Sequence, residues 1–222
     1  MEDFLSVITS VTGLRAAFVS RVPNLEMDCD RDEAMCRLLD THTAAVHELG
    51  FTSAQWWRAE QVHGNRVAVA GASSTILAAD GLPVVSDVDG LIAKDAGLLL
   101  AIYVADCGAI WLADRRTGAF GLLHSGKKGT EGNILQVALD EMQLHFGTNP
   151  RDVIGVLGPC IRPPHYEVDF AATIRAQAKA AGVMDFYDCG ICTASDLQAY
   201  YSYRKELGRT GRLMALLGRT AP

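Results

Sequence analysis

Residues 104–129 read VADCGAIWLADRRTGAFGLLHSGKKG, and the spacing of apolar runs and turn residues within them decides the fold. Two apolar stretches, residues 109–113 and 119–123, flank Asp114-Arg115-Arg116-Thr117-Gly118, which has the composition of a hairpin connection. Cys107 and His124 then stand on either side of the hairpin at the ends of two strands. Gly108 and Gly126 lie beside them, and a glycine lets a backbone approach a ligand closely. Both side chains can bind a metal. A third candidate, His63 in Gln61-Val62-His63-Gly64, sits well upstream and has to be brought in by the fold. Beyond His124 a glycine-containing loop leads to Ile134, Leu135, Ala138, Leu139, Met142 and Phe146, whose spacing predicts a helix over residues 130–146. The central element is therefore strand, loop, helix.

Upstream, residues 14–21 read as a strand ended by Pro23 and Asn24. Asp28 or Asp30 then caps a helix whose apolar positions run from Met35 to Leu49, with Gly50 as its stop. His42 and His47 belong to the faces of that helix. Residues 54–63 (AQWWRAEQVH) read as a strand that leaves His63 beside a turn, and residues 66–70 as a second, short one. Residues 71–87 are small, polar and broken by Gly81 and Pro83, so a loop is expected. Residues 88–93 and 98–105 are buried-strand candidates. Downstream the pattern predicts a strand at 153–157, a Pro-rich loop at 158–168, helices at 169–181 and 194–207, and a closing strand at 213–217. Hairpins mixed with crossing helices imply an α/β fold, a layered single domain over residues 1–222 with a mixed β-sheet and flanking helices.

Composition excludes several classes of function. Hydrophobic residues at 49% and charged residues at 21% fit a globular chain rather than a disordered one. The formal charge of −6 argues against nucleic acid as the partner, because a groove that neutralises many phosphates needs a basic surface. The longest apolar run, residues 97–111, is interrupted by Asp106 and falls short of the roughly 20 residues of a membrane-spanning helix, so no membrane partner is expected. The opening MEDFLSVITSVTG lacks the basic start and apolar core of a secretory signal, so a cytoplasmic location is expected. Six cysteines there point to reduced thiols.

Two motifs are weaker than they look. Residues 121–127 (GLLHSGK) satisfy most of the phosphate-loop pattern, but Lys128 stands where a hydroxyl should hold the metal. Cys189-Gly190-Ile191-Cys192 is a lone C-x-x-C with no second pair. The trio His63, Cys107 and His124 is stronger, and Gln61 and Asp106 lie beside two of its members, where they can orient an imidazole or a water.

The order and spacing of several pieces resemble one family. They are Gln61-Val62-His63-Gly64, Ala105-Asp106-Cys107, His124-Ser125-Gly126-Lys127-Lys128-Gly129, Gly158-Pro159 with Tyr166-Glu167-Val168, Cys192-Thr193, Tyr201-Ser202-Tyr203-Arg204 and Thr210-Gly211-Arg212. The chain is similar over most of its length to the laccase-domain or YfiH-like proteins, described as multicopper polyphenol oxidases and later as purine nucleoside phosphorylases with adenosine deaminase activity. The resemblance implies the cysteine-hydrolase-type fold of that family and one zinc on His63, Cys107 and His124. Three protein ligands leave a tetrahedral position open, the mark of a catalytic zinc. It also implies purine nucleoside and phosphate as small-molecule partners. Cys107, His124 and Asp106 are then the expected catalytic residues, and Gln61, Lys128, Arg162 and Arg204 the expected substrate contacts, in a monomer or weak oligomer. The family's HAGWRG segment is HSGKKG here, so a tryptophan is lost and an arginine becomes Lys128, a point charge in place of a bidentate fork.

Four other readings compete. His₂Cys is also a blue-copper ligand set when an axial Met is near, so Cu²⁺ in a polyphenol oxidase is one alternative. Cys107 with His124 as its base would make a hydrolase or deamidase without a metal, or one that edits a peptidoglycan precursor. The altered HSGKKG loop allows a relative that keeps zinc and serves only as a binding partner.

Overall fold

The computed structural model describes residues 3–220, so two residues at each end of the expected 1–222 domain lie outside the described residues. In chain order the elements are α1 (Ser6–Thr9), β1 (Leu14–Val19), α2 (Arg31–Glu48), β2 (Trp56–Arg58), β3 (Val67–Val69), β4 (Thr75–Leu77), β5 (Pro83–Val85), β6 (Gly90–Ala93), β7 (Leu98–Val104), β8 (Gly108–Asp114), β9 (Phe120–Ser125), α3 (Lys127–Glu131), α4 (Ile134–Phe146), β10 (Val153–Leu157), α5 (Phe170–Ala180), β11 (Asp185–Asp188) and β12 (Leu213–Arg219). The strands form a four-stranded sheet in the order β1-β12-β7-β2, a six-stranded sheet in the order β11-β10-β8-β9-β6-β3, and the separate hairpin β4-β5. Both larger sheets are mixed: β2 runs parallel to β7, and β3 and β11 run parallel to their neighbours, while the other pairs are antiparallel. The α/β class and mixed pairing agree with the sequence reading, distributed over two sheets.

Side-chain alternation stacks these sheets. Along β7, Leu100, Ile102 and Val104 share one apolar cluster with Ala109, Trp111 and Ala113 of β8, so the two sheets pack face to face. Leu99, Ala101 and Tyr103 point the other way, onto Met35 and Val46 of α2. Ile110 and Leu112 of β8 face α4 and α5 through Leu135, Leu139, Met142 and Ile174. The resulting order is helix, sheet, sheet, helices, which explains why β7, β8 and β9 read as near-continuous hydrophobic runs: both faces of each are covered. Trp111, fully buried, anchors the inter-sheet layer. Its indole N–H donates to the Leu216 carbonyl at 3.0 Å, and its ring meets Phe4 and Phe18 edge-on at centroid distances of 6.0 Å.

Four local expectations need correction. No helix forms over residues 194–207; a 3-10 turn at Thr193–Ser195 is followed by turns. Side chains there capture backbone N–H groups that a helix would use: Asp196 takes those of Gln198 and Ala199, Glu206 that of Ser202, and Asp106 that of Arg204. Residues 71–87 contain the hairpin β4-β5, with β4 exposed and Val84 and Val85 of β5 buried, and its strands are three residues each, too short to show alternation. The strand expected over 54–63 joins the sheet at Trp56–Arg58, continues as a single bridge from Ala59 to Val85, and leaves at Gln61 and His63, whose φ is positive (64° and 62°). The helix expected over 130–146 is split by Asn133, which adopts φ 50° and caps α4 by accepting from the Gln136 N–H. The edge strand β11 went unforeseen.

Candidate metal centre and substrate cavity

One end of the stacked sheets opens into a cavity of about 760 Å³. The ends of β6, β7, β8, β9 and β12 meet there. Cys107 lies in the turn from β7 to β8, and His124 lies in β9 opposite Ala109 of β8. The register Gly108↔Ser125 therefore brings both to the same edge. His63 arrives from the loop after β2. The metal-binding atoms of His63, Cys107 and His124 lie within 4.8 Å of one another, the only such group of three among the described residues.

Asp89, just before β6, locks this arrangement. It is fully buried and its carboxylate accepts the backbone N–H groups of His63 (2.9 Å) and Gly64 (2.7 Å) and the Nδ1–H of His124 (2.7 Å). Its carbonyl also accepts the His124 N–H at 2.7 Å. An ionised carboxylate can only accept, so it fixes the tautomer with the proton on Nδ1 and leaves the lone pair of His124 Nε2 for the cavity side. Burial alone would raise the Asp89 carboxyl, but its bonds to the His124 ring and to Gly64 and His63 hold it below the usual carboxylate range. Burial likewise pushes the Cys107 thiol up, and His124 followed by His63 outweighs it, lowering the thiol from 9.0 to about 6. The thiolate and Asp89 in turn raise the His124 imidazole above its ordinary value against the opposing effect of burial. The trio is thus arranged to present a thiolate. Close approach explains Gly126: a Cβ there would stand 2.5 Å from Cys107 Sγ.

Of the other residues expected from sequence, Asp106, Gln61, Lys128 and Arg204 line the cavity and Arg162 does not. Arg162 turns away, with both terminal nitrogens on Asp188 and Nε on the Ile191 carbonyl. Gln61 is committed to the backbone of Tyr103, donating to its carbonyl at 2.6 Å and accepting its N–H at 2.8 Å. Asp106, at φ 83°, accepts from the Thr193 and Ser202 hydroxyls and the Arg204 N–H. Its carboxylate ties three segments together and has no side-chain bond to either histidine. Arg204 pairs with Glu167 and lies over the Tyr166 ring at 5.0 Å. The phosphate-loop pattern is excluded, since residues 121–125 lie inside β9 with no free run of amides.

The sequence reading missed Asp89, Arg31 and Tyr103, and quoted Arg212 only within a motif. Asp89 carried a signal: it is the one charged residue in VDGLIA, and a charge in a buried strand needs a partner. Arg31, Lys127, Lys128, Arg204 and Arg212 give the lining a strong positive bias, with Asp106 as its only carboxylate among the described residues. Val62, Ile161, Tyr166, Phe170, Tyr203 and Leu207 supply an apolar and aromatic wall. The cavity therefore combines a metal-binding trio, anion-attracting charge and a surface for a planar ring.

The chain matches the family model described as multi-copper polyphenol oxidoreductase laccase over residues 14–171 and 168–220. A Deinococcus radiodurans protein named purine nucleoside phosphorylase is 32% identical, over 92% of this chain and 86% of its own. Purine nucleoside phosphorylase YlmD of Geobacillus stearothermophilus is 30% identical, over 77% of this chain and 74% of its own. The crystal structure of YlmD from Geobacillus stearothermophilus shares the fold with a TM-score of 0.80 at 24% identity, covering 96% of this chain and 94% of that one. Neisseria meningitidis protein NMB0706 does so with a TM-score of 0.75 at 21% identity, covering 95% and 96%.

Proposed function

We propose, because the chain belongs to the family described as multi-copper polyphenol oxidoreductase laccase, that it is a zinc enzyme of purine nucleosides that works in the cytoplasm as one domain over residues 1–222. Phosphorolysis is the leading reaction and deamination of adenosine-type nucleosides the second. The single observation that carries the reading is the meeting of His63, Cys107 and His124 within 4.8 Å at a positively lined cavity. Two imidazoles and a lowered-pKa thiol are a donor set that zinc takes, and a volume of about 760 Å³ lies within the usual range of small-ligand sites.

When bound, zinc would supply Lewis acidity beside the substrate. The chain's own residues supply the rest. Asp89 holds His124 in the metal-binding tautomer, and Gln61 and Asp106 brace the loops that carry His63 and Cys107. Tyr203, exposed at the cavity, offers a face against which a purine can stack. In phosphorolysis a phosphate oxygen bonds to ribose C1′ while the C1′–N9 bond breaks. The base leaves with that electron pair and takes up a proton. The positive lining favours the phosphate dianion in the encounter and stabilises it in place.

A copper oxidase has less support. Blue copper uses a weak axial Met, and no methionine among the described residues lines the cavity. His42, His47, His145 and His165 join no second metal-binding group among the described residues. The metal-free nucleophile reading has one specific observation in its favour, the line Asp89, His124, Cys107, which has the form of a catalytic triad. Alkylation separates the two. A zinc-bound Cys107 should resist iodoacetamide until a chelator is added, whereas a free one reacts at once.

Zinc-loaded protein incubated with inosine, adenosine and methylthioadenosine should release the base only when phosphate is present. Release at the same rate without phosphate would contradict phosphorolysis, and turnover that survives complete zinc removal would contradict the zinc reading.

A further inference from the structure

The sequence pointed to Lys128, Arg162 and Arg204 as anion contacts, but two other arginines hold the better position. Arg212, at the entrance to β12, is only 9% exposed. Its Nη1 donates to the carbonyls of Thr210 and Gly211 at 2.8 Å each, which fixes the side chain. Neither Nε nor Nη2 has a protein partner among the described residues, although the guanidinium lines the cavity. Three other covered arginines are given a carboxylate, Arg21 by Glu206, Arg58 by Asp80 and Arg162 by Asp188, while Arg219, away from the cavity, bonds only to carbonyls. Arg212 has no carboxylate among the described residues. The pairing Leu213↔Val104 sets it beside the turn that carries Cys107.

Arg31, in the first turn of α2, lines the same cavity. It donates to the Glu60 carbonyl at 2.8 Å and likewise makes no ion pair among the described residues. Burial first, and then the charge of Arg31, press the Arg212 guanidinium below its ordinary range. Two like charges converging on a cavity wall with no acid between them stand in mutual repulsion, which a tetrahedral oxyanion would relieve by accepting from both. Arg204 is less available, since Glu167 already occupies it.

We propose that Arg212 and Arg31 form the oxyanion subsite of the cavity and hold the co-substrate phosphate beside the His63, Cys107 and His124 centre. This rests on the phosphorolysis reading for the identity of the anion, and on geometry alone for its place. A phosphate ester carried by the nucleoside would offer the same chemistry, so the test separates free phosphate from a nucleoside monophosphate.

Calorimetric titration of inorganic phosphate into the zinc-loaded protein, without nucleoside, is the direct test. Arg212→Gln should weaken phosphate binding by roughly tenfold or more, Arg212→Lys and Arg31→Gln by less, and exposed Arg15→Gln not at all. Under turnover the KM for phosphate should rise in Arg212→Gln while that for nucleoside stays near the wild-type value. Should Arg212→Gln fail to fold, Arg31→Gln carries the test, because Arg31 is an exposed rim residue. Unchanged phosphate affinity in folded Arg212→Gln and Arg31→Gln would overturn the subsite, with or without activity. Tight Arg212-dependent binding of a nucleoside monophosphate, with none of free phosphate, would overturn the co-substrate assignment. Arg212-dependent phosphate binding in a protein that turns over no nucleoside would uphold the subsite and refute the reaction.

Discussion

Asp89 makes more of the site than any residue whose chemistry announced itself in the sequence. One carboxylate holds His63 by its backbone and His124 by its ring, so it sets the position of one proposed ligand and the tautomer of another. Asp89→Asn keeps the shape but gives up the acceptor-only character, and zinc affinity should fall by roughly ten- to a hundredfold in competition with a chromophoric chelator. An unchanged affinity would mean that the histidines are held by other contacts. Cys107 gives a pH signature. Its thiol is lowered from 9.0 to about 6, so the thiolate is the dominant form above about pH 6. In the metal-free protein the iodoacetamide rate should therefore rise through about pH 6 and level off, and a rise centred near 9 would contradict the environment described. At this scale the sequence was legible where a residue carries its own chemistry, as in Cys107, His63 and His124. It was silent where the role comes from pairing, as when Arg162 is claimed by Asp188 while Arg212 is held only by carbonyls and has no carboxylate among the described residues.

The elements that position these residues were readable where both faces of a strand are buried. β7, β8 and β9 appear as apolar runs because each lies between two layers, and the hairpin β8-β9 is stopped by Asp114, whose side chain accepts the N–H groups of Arg116 and Thr117. Trp111 on β8 fills the space between the sheets, and Trp111→Ala should lower the unfolding free energy by about 3–5 kcal/mol in urea titration. A loss below about 1 kcal/mol would mean that the layer collapses around the gap. Legibility failed where side chains replace backbone partners. The absent helix at 194–207 has a local and a distant cause: Asp196 and Glu206 take up nearby main-chain N–H groups, and the buried Asp106 takes that of Arg204 from a distant segment. Sequence periodicity carries no trace of such long-range contacts.

At the scale of the molecule, charge is distributed against its own average. The chain carries a net −6, yet Arg31, Lys127, Lys128, Arg204 and Arg212 converge on the cavity with Asp106 as the one lining acid among the described residues. Net charge alone would argue against an anionic substrate, whereas its placement favours one. The layered fold makes this possible by bringing the ends of β6, β7, β8, β9 and β12 to one edge, where residues more than a hundred positions apart meet. No helix of the described residues is long and apolar enough to cross a membrane. The central claim is that His63, Cys107 and His124 together hold one metal ion, and it is tested most directly by metal content after exhaustive dialysis, read by inductively coupled plasma mass spectrometry. The wild type is expected to carry about one zinc per chain, and Cys107→Ala, His124→Ala and the more exposed His63→Ala, each shown folded by circular dichroism, to lose most of it. Equal zinc in the wild type and all three variants would contradict the account.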